Sequence, residues 1–69
     1  LHVDVERPGE VTVEVFDALG RRVARPFAGR LSAGAHRIPF DGTSLVPGAY
    51  LVRVTTHTGV VVGRMIRSR

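Results

Sequence analysis

The sequence predicts an all-β fold, an antiparallel β-sandwich of about seven short strands. Three observations carry this. Val11, Val13 and Val15 recur at every second residue, as do Tyr50, Val52 and Val54, which is the spacing of a strand with one buried face. Turn signals built on Gly, Pro and Asp separate these runs. No segment carries the 3.6-residue apolar period of an amphipathic helix.

Taken in order, Leu1, Val3 and Val5 alternate with His2, Asp4 and Glu6 as a first strand. Arg7-Pro8-Gly9-Glu10 has Pro second and Gly third, as a type II turn requires. In the next strand Val11, Val13 and Val15 face inward, with Thr12 and Glu14 toward water. Asp17-Ala18-Leu19-Gly20 reads as a three-residue hairpin loop whose Gly is left-handed. Counting outward pairs Asp17 with Arg21 as an ion pair and Val15 with Val23 on one face. Pro26 is expected to end that strand, with a loop from Phe27 to Gly34.

A short edge strand then places His36, Ile38 and Phe40 on one side, with Pro39 on the other. Turns at Asp41-Gly42 and Val46-Pro47-Gly48-Ala49 flank Leu45. Thr56-His57-Thr58-Gly59 is expected to repeat the three-residue loop and to pair Val54 with Val62. The last strand runs from Val60 to about Ile66 and leaves Arg67-Ser68-Arg69 as a tail. The expected core is Val13, Val15, Val23, Ile38, Phe40, Tyr50, Val52 and Val54. Gly20, Gly42, Gly48 and Gly59 are expected at positive φ. Phe16, Leu51, Val61 and Met65 have the parity opposite to this core. An N-terminal strand, the long loop or crossing geometry is expected to cover them, and a docking patch is the alternative.

With 69 residues the chain has room for one domain, which buries only about 60% of its unfolded surface. It has no Cys, so it has neither disulfides nor a thiolate metal site. Nor does any run approach the roughly 18 apolar residues of a membrane helix, and no direct membrane insertion is expected. Opening mid-strand at Leu1, the sequence reads as the end of a longer polypeptide. The formal charge is +4, carried by ten Arg and no Lys, but the arginines are spread over nearly every segment among six acids. A scattered charge and four aromatic residues do not make the basic, ring-bearing face of a nucleic-acid binder. The absence of Trp argues against a carbohydrate platform.

His2, His36 and His57 lack the spacing that aims two imidazoles at one metal, and His36 reads as partly buried and structural. Ser32, Ser44 and Ser68 lie in loops or the tail, without a nucleophile context. Asp17 and Asp41 are explained by hydrogen bonds within their own turns. The residues therefore point to no catalytic site, metal or cofactor, and the chain is read as a non-enzyme.

The order of the motifs carries a further expectation. A strand ending in Phe16-Asp17 with Gly20-Arg21 is followed by Ala33-Gly34, His36, Ile38 and Phe40-Asp41-Gly42, then by Gly48 and Tyr50 and a basic end. This run resembles the C-terminal sorting domain, type A, of proteins exported by the bacterial type IX secretion system, with Phe40 where that family often has Trp. The resemblance implies an immunoglobulin-like sandwich that carries its parent across the outer membrane. It implies as partners the type IX translocon, a sortase-like protease and an upstream cargo domain of the same polypeptide. It also implies passage through the periplasm to the cell surface or medium. Arg64, Met65, Ile66, Arg67, Ser68 and Arg69 would be the recognition segment, and Asp17, Gly20, Asp41, Gly42, Gly48, Tyr50 and Gly59 the structural motif positions. The hook-capping protein of flagella and generic bacterial immunoglobulin-like repeats share the Gly-x-Tyr pattern. They imply instead a structural or adhesion module of a larger secreted enzyme, with carbohydrate binding as a further option.

Overall fold

Six strands and one short turn of 3₁₀-helix make up the computed structural model, which describes residues 1–68. The strands are β1 (His2–Val5), β2 (Gly9–Phe16), β3 (Arg22–Leu31), β4 (Gly34–Arg37), β5 (Gly48–Thr56) and β6 (Gly59–Arg67), with the 3₁₀ turn at Gly42–Ser44. All pairing is antiparallel. A two-stranded sheet, β1-β4, faces a four-stranded sheet ordered β3-β2-β5-β6. The all-β sandwich is as the sequence predicts, with six strands in place of about seven.

β2 supplies the centre of the core. Its valines alternate toward the smaller sheet, and Val11, Val13 and Val15 are each 1% exposed or less. Val3, Val5 and Ile38 close over Val11 and Val13 from the smaller sheet, and Leu1, Phe27, Leu31, Val52 and Val54 pack around them. Val52 and Val54 are only half-buried, because a two-stranded sheet cannot cover a four-stranded one. Phe40 is also half-buried rather than central, since β4 ends at Arg37 and the chain turns away past Pro39.

The β2–β3 hairpin forms the expected loop. The Asp17 N–H donates to the Arg21 carbonyl at 2.9 Å, and the Gly20 N–H donates to the Asp17 carbonyl at 3.0 Å. Gly20 is left-handed, with φ +83°. Beyond the loop the pairing departs from expectation. Phe16 opposes Arg22, Val15 opposes Ala24 and Val13 opposes Phe27, so β3 holds one extra residue at each of two bulges. The bulge nearer the loop turns Val23 out of the core, leaving it 41% exposed. The other contains Pro26, whose missing N–H costs no ladder bond on an edge strand. β3 therefore runs through Pro26 to Leu31, where a loop was expected.

Three further expectations are corrected. Gly9 is not the third residue of a type II turn: it opens β2, is buried and lacks positive φ. A Cβ there would lie 2.7 Å from the His57 ring, so any larger residue must displace that ring. Gly42 sits in the 3₁₀ turn without positive φ, and Gly34, with φ +122°, has one instead. The last hairpin is one residue shorter than expected. Thr56 opposes Gly59 across a two-residue turn, so Val54 pairs with Val61 and not Val62. A slip of one residue moves every side chain of a strand to the other face. Val61 and Met65 consequently face inward with Val54 and Tyr50, while Val60, Val62 and Ile66 face outward.

Two predictions follow from this packing. Val13→Ala should lower the unfolding free energy by roughly 2 kcal/mol through lost methyls and a cavity, whereas Val23→Ala should change it by less than about 0.5 kcal/mol. Urea titration of the two variants measures the contrast. Gly20→Ala should cost about 1 kcal/mol from backbone strain alone, because a Cβ there meets no atom within 4 Å. Gly42→Ala, checked by the same titration, should stay within about 0.5 kcal/mol of wild type.

Candidate functional site

The outer face of the larger sheet carries the densest polar arrangement. Glu14, expected to face water, is only 8% exposed, because arginines from both neighbouring strands fold over it. Arg53, directly opposite on β5, donates to Glu14 Oε1 from Nη2 at 2.7 Å and from Nε at 3.2 Å. Arg22 on β3 donates from Nη1 to Oε2 at 3.2 Å. The Arg53 guanidinium also lies 4.7 Å from the centroid of the Phe16 ring, within cation–π range. Hydrogen bonds from Arg53, then Arg22, hold the Glu14 carboxyl below its usual range, with burial partly opposing them. Sequence reasoning missed this cluster. Its signal was present as an outward acid with arginines on the flanking strands, but the register had to be known to join them.

The two turn aspartates act locally. Asp17 Oδ1 accepts the Leu19 and Arg21 N–H groups, each at 2.9 Å, and Oδ2 meets Arg21 Nε at 2.9 Å. Its carboxyl is held low, first by the Arg21 N–H, then, against burial, by the Arg21 side chain and the Leu19 N–H. Asp41 caps the 3₁₀ turn by accepting the Thr43 N–H at 3.0 Å, which lowers its carboxyl, aided by the charge of Arg67. Tyr50 is buried, and its hydroxyl donates to the Val46 carbonyl four residues upstream. That bond fixes the corner leading from Gly48, with φ +156°, into β5.

The C-terminal residues do not form one surface. Arg64 and Ile66 face outward opposite Leu51 and Ala49, whereas Met65 and Arg67 lie on the inner side opposite Tyr50 and Gly48. Arg67 is pinned rather than free in a tail, since its Nε donates to the Gly42 carbonyl at 2.9 Å. Ser68 is exposed, and Arg69 lies outside the described residues. Of the histidines, His36 is half-buried with Nε2 2.7 Å from the Ser32 carbonyl, and His57 lies in the β5–β6 turn.

Two grooves stand out among the described residues. One, of about 530 Å³, runs between β1 and the inner faces of β5 and β6; the other, of about 540 Å³, lies between the Asp17 loop and the Val46–Tyr50 corner. Neither gathers a nucleophile with a positioned base. Among the described residues no three His, Asp or Glu side chains converge as metal ligands. No helix among them is long and apolar enough to cross a membrane.

Two facing antiparallel sheets and a tyrosine corner define an immunoglobulin-like sandwich module. The family model of the FlgD Ig-like domain matches residues 2–59, and the chain belongs to that family. No curated protein and no solved structure is significantly similar to it.

Acid sensitivity follows from the carboxylates. Glu14, Asp17 and Asp41 all bind protons less readily folded than unfolded, so their contribution is present at neutral pH and lost as pH falls through their folded values. The melting temperature should be flat from about pH 7 to 5 and fall below about pH 4. Glu14→Gln should lower it at pH 7 and flatten part of the acid slope, as calorimetry across that range would register. Tyr50→Phe should cost about 1 kcal/mol by removing the bond to Val46, with the β5–β6 amide pattern unchanged by NMR.

Proposed function

We propose that this chain is a non-catalytic immunoglobulin-like module of a larger polypeptide, acting through its surfaces and not through chemistry. The observation that carries this reading is the use to which its ionisable groups are put. Glu14, Asp17 and Asp41 are each tied to neighbouring arginines or backbone N–H groups in a structural role. The family supports the reading, since it takes its name from the immunoglobulin-like domain of a flagellar hook-capping protein. The test is removal of residues 1–69 from the parent polypeptide. The parent should keep its chemical activity and its export, while its stability or assembly changes. Loss of turnover with the parent otherwise folded and exported would refute a non-catalytic module.

A second reading is favoured by the motif order from Phe16-Asp17 to Tyr50 and by the basic residues from Arg64 to Arg69. In it the module is a C-terminal sorting signal, read by the type IX translocon, that carries its cargo through the periplasm to the cell surface or medium. Arg64 offers charge-assisted contacts to an acidic partner. The deciding experiment fuses residues 1–69, with the native upstream segment, to a periplasmic reporter in a type IX-competent host. A matching fusion lacks Met65 to Arg69. Export of the first fusion alone supports sorting; equal fates for the two reporters leave the structural module as the answer.

A further inference from the structure

The two edges of the larger sheet are built differently. β3, at one edge, carries two bulges and Pro26, devices that stop a further strand from adding. β6, at the other, runs nine residues against β5 without a bulge or a proline. Its two-residue turn makes Thr56 and Gly59 a hydrogen-bonded pair, and bonding direction alternates from there. Gly59, Val61, Gly63, Met65 and Arg67 therefore direct their backbone groups at β5. Val60, Val62, Arg64 and Ile66 point theirs at the open edge, since β5 is the one strand partner of β6 among the described residues. Val60, Val61, Val62 and Ile66 are exposed around that edge. Gly63, at its middle, lacks positive φ, and a Cβ there would meet no atom within 4 Å. No contact within the chain calls for glycine at this position.

We propose that a second copy of the chain completes this edge, β6 pairing antiparallel with the partner's β6 about a two-fold axis at Gly63. The strand's own residues select the register. Free groups meet free groups only where an even-numbered position opposes an even-numbered one. An axis at Gly63 aligns all nine residues, with Gly59 against the partner's Arg67. Val60 then opposes the partner's Ile66, Val61 the partner's Met65, and Val62 the partner's Arg64. Apolar pairs so form on both faces of one continuous sheet, with four strands from each copy. An axis at Arg64 would set two guanidinium groups directly opposite each other, which is destabilising. One at Val62 would leave Ile66 and Arg67 overhanging. At the axis itself two glycines face each other, as where one backbone closely approaches another. The dimer goes beyond the module reading and does not rest on it, so a monomeric chain would overturn the dimer alone.

The test uses the 69-residue chain, which has no Cys of its own. Under air oxidation, Gly63→Cys should form a disulfide-linked dimer at least about 10-fold faster than Val61→Cys. Directly opposed residues of a non-hydrogen-bonded pair lie about 4.5 Å apart at Cα, within disulfide reach. The two copies of residue 61 would be separated by four residues' rise, roughly 13 Å. Sedimentation of the unmodified chain at about 1 mM should give twice the monomer mass of 7.5 kDa, falling toward monomer on dilution. Amides of Val60, Val62, Arg64 and Ile66 should exchange at least about 5-fold more slowly at about 1 mM than at about 10 μM, with Val61 and Gly63 unchanged. Val62→Pro removes an N–H that β5 does not use, so it should stay folded, with Val13 and Val15 amides protected, and be monomeric. If Val62→Pro fails to fold, the two cysteine variants decide alone.

The dimer is refuted by monomer mass at every concentration, by equal cross-linking of the two cysteine variants, or by a dimer that survives Val62→Pro. Edge amides protected equally at both concentrations would assign the β6 edge to a segment of the same chain and overturn the second copy as its occupant. A mass that keeps growing with concentration overturns the closed pair as well, because the two-fold axis leaves no β6 edge to extend.

Discussion

Val11, Val13 and Val15 are the residues most completely removed from water, and the positions of the other elements follow from their strand. β2 pairs on both sides, with β3 from Gly9 to Phe16 and with β5 from Thr12 to Phe16, while its valines face the smaller sheet. Val3, Val5 and Ile38 are buried because they oppose this row. In so small a domain that is nearly the whole core. The outer face of β2 is closed by different means. Arg22 and Arg53 reach Glu14 from the two flanking strands and shield it, with Phe16 beneath Arg53. One strand thus orders its sheet from both faces, by apolar burial inside and by a charge-assisted tie outside.

Much of this was legible in the sequence because local rules and global packing agree there. The Asp17 loop was readable from four residues, since Gly in the left-handed position and Asp as a side-chain acceptor are demands of one turn type. The central strands were readable from alternation. What was not legible depended on pairing. Val23 has the parity and character of a core residue and is expelled by a bulge that no residue in β3 announces. Pro26 looked like a terminator, and that inference presumed a partner on both sides of the strand. Gly42 and Gly34 exchanged roles because the Asp41 cap draws the chain into a 3₁₀ turn that needs no positive φ.

The candidate site divides in the same way. Asp17, Gly20, Gly48, Tyr50 and Gly59 were identified as structural positions and hold turns or corners in the fold. Arg64 to Arg67 were grouped by adjacency in sequence, but a strand sends neighbours to opposite faces, so a continuous run becomes two half-patches. The Glu14 cluster shows the reverse case. Its members are 8 and 39 residues apart and meet only across the sheet. On a sheet, the faces presented by the strands decide which side chains meet, more than the order of residues along the chain does.

The clamp between Arg67 and the Gly42 carbonyl has a consequence for β6 as a whole. This strand carries Val61 and Met65 on one side and Val60, Val62 and Ile66 on the other, so hydrophobicity alone barely distinguishes its two alignments against β5. The choice falls to the strand's ends. At one end Gly59 closes a two-residue turn; at the other, 25 positions along the chain from its acceptor, Arg67 engages a carbonyl outside the sheet. Sliding β6 by a single step would carry that guanidinium to the opposite face, out of reach of Gly42. Arg67 therefore serves as a registration mark, letting a strand with two greasy sides settle in one alignment.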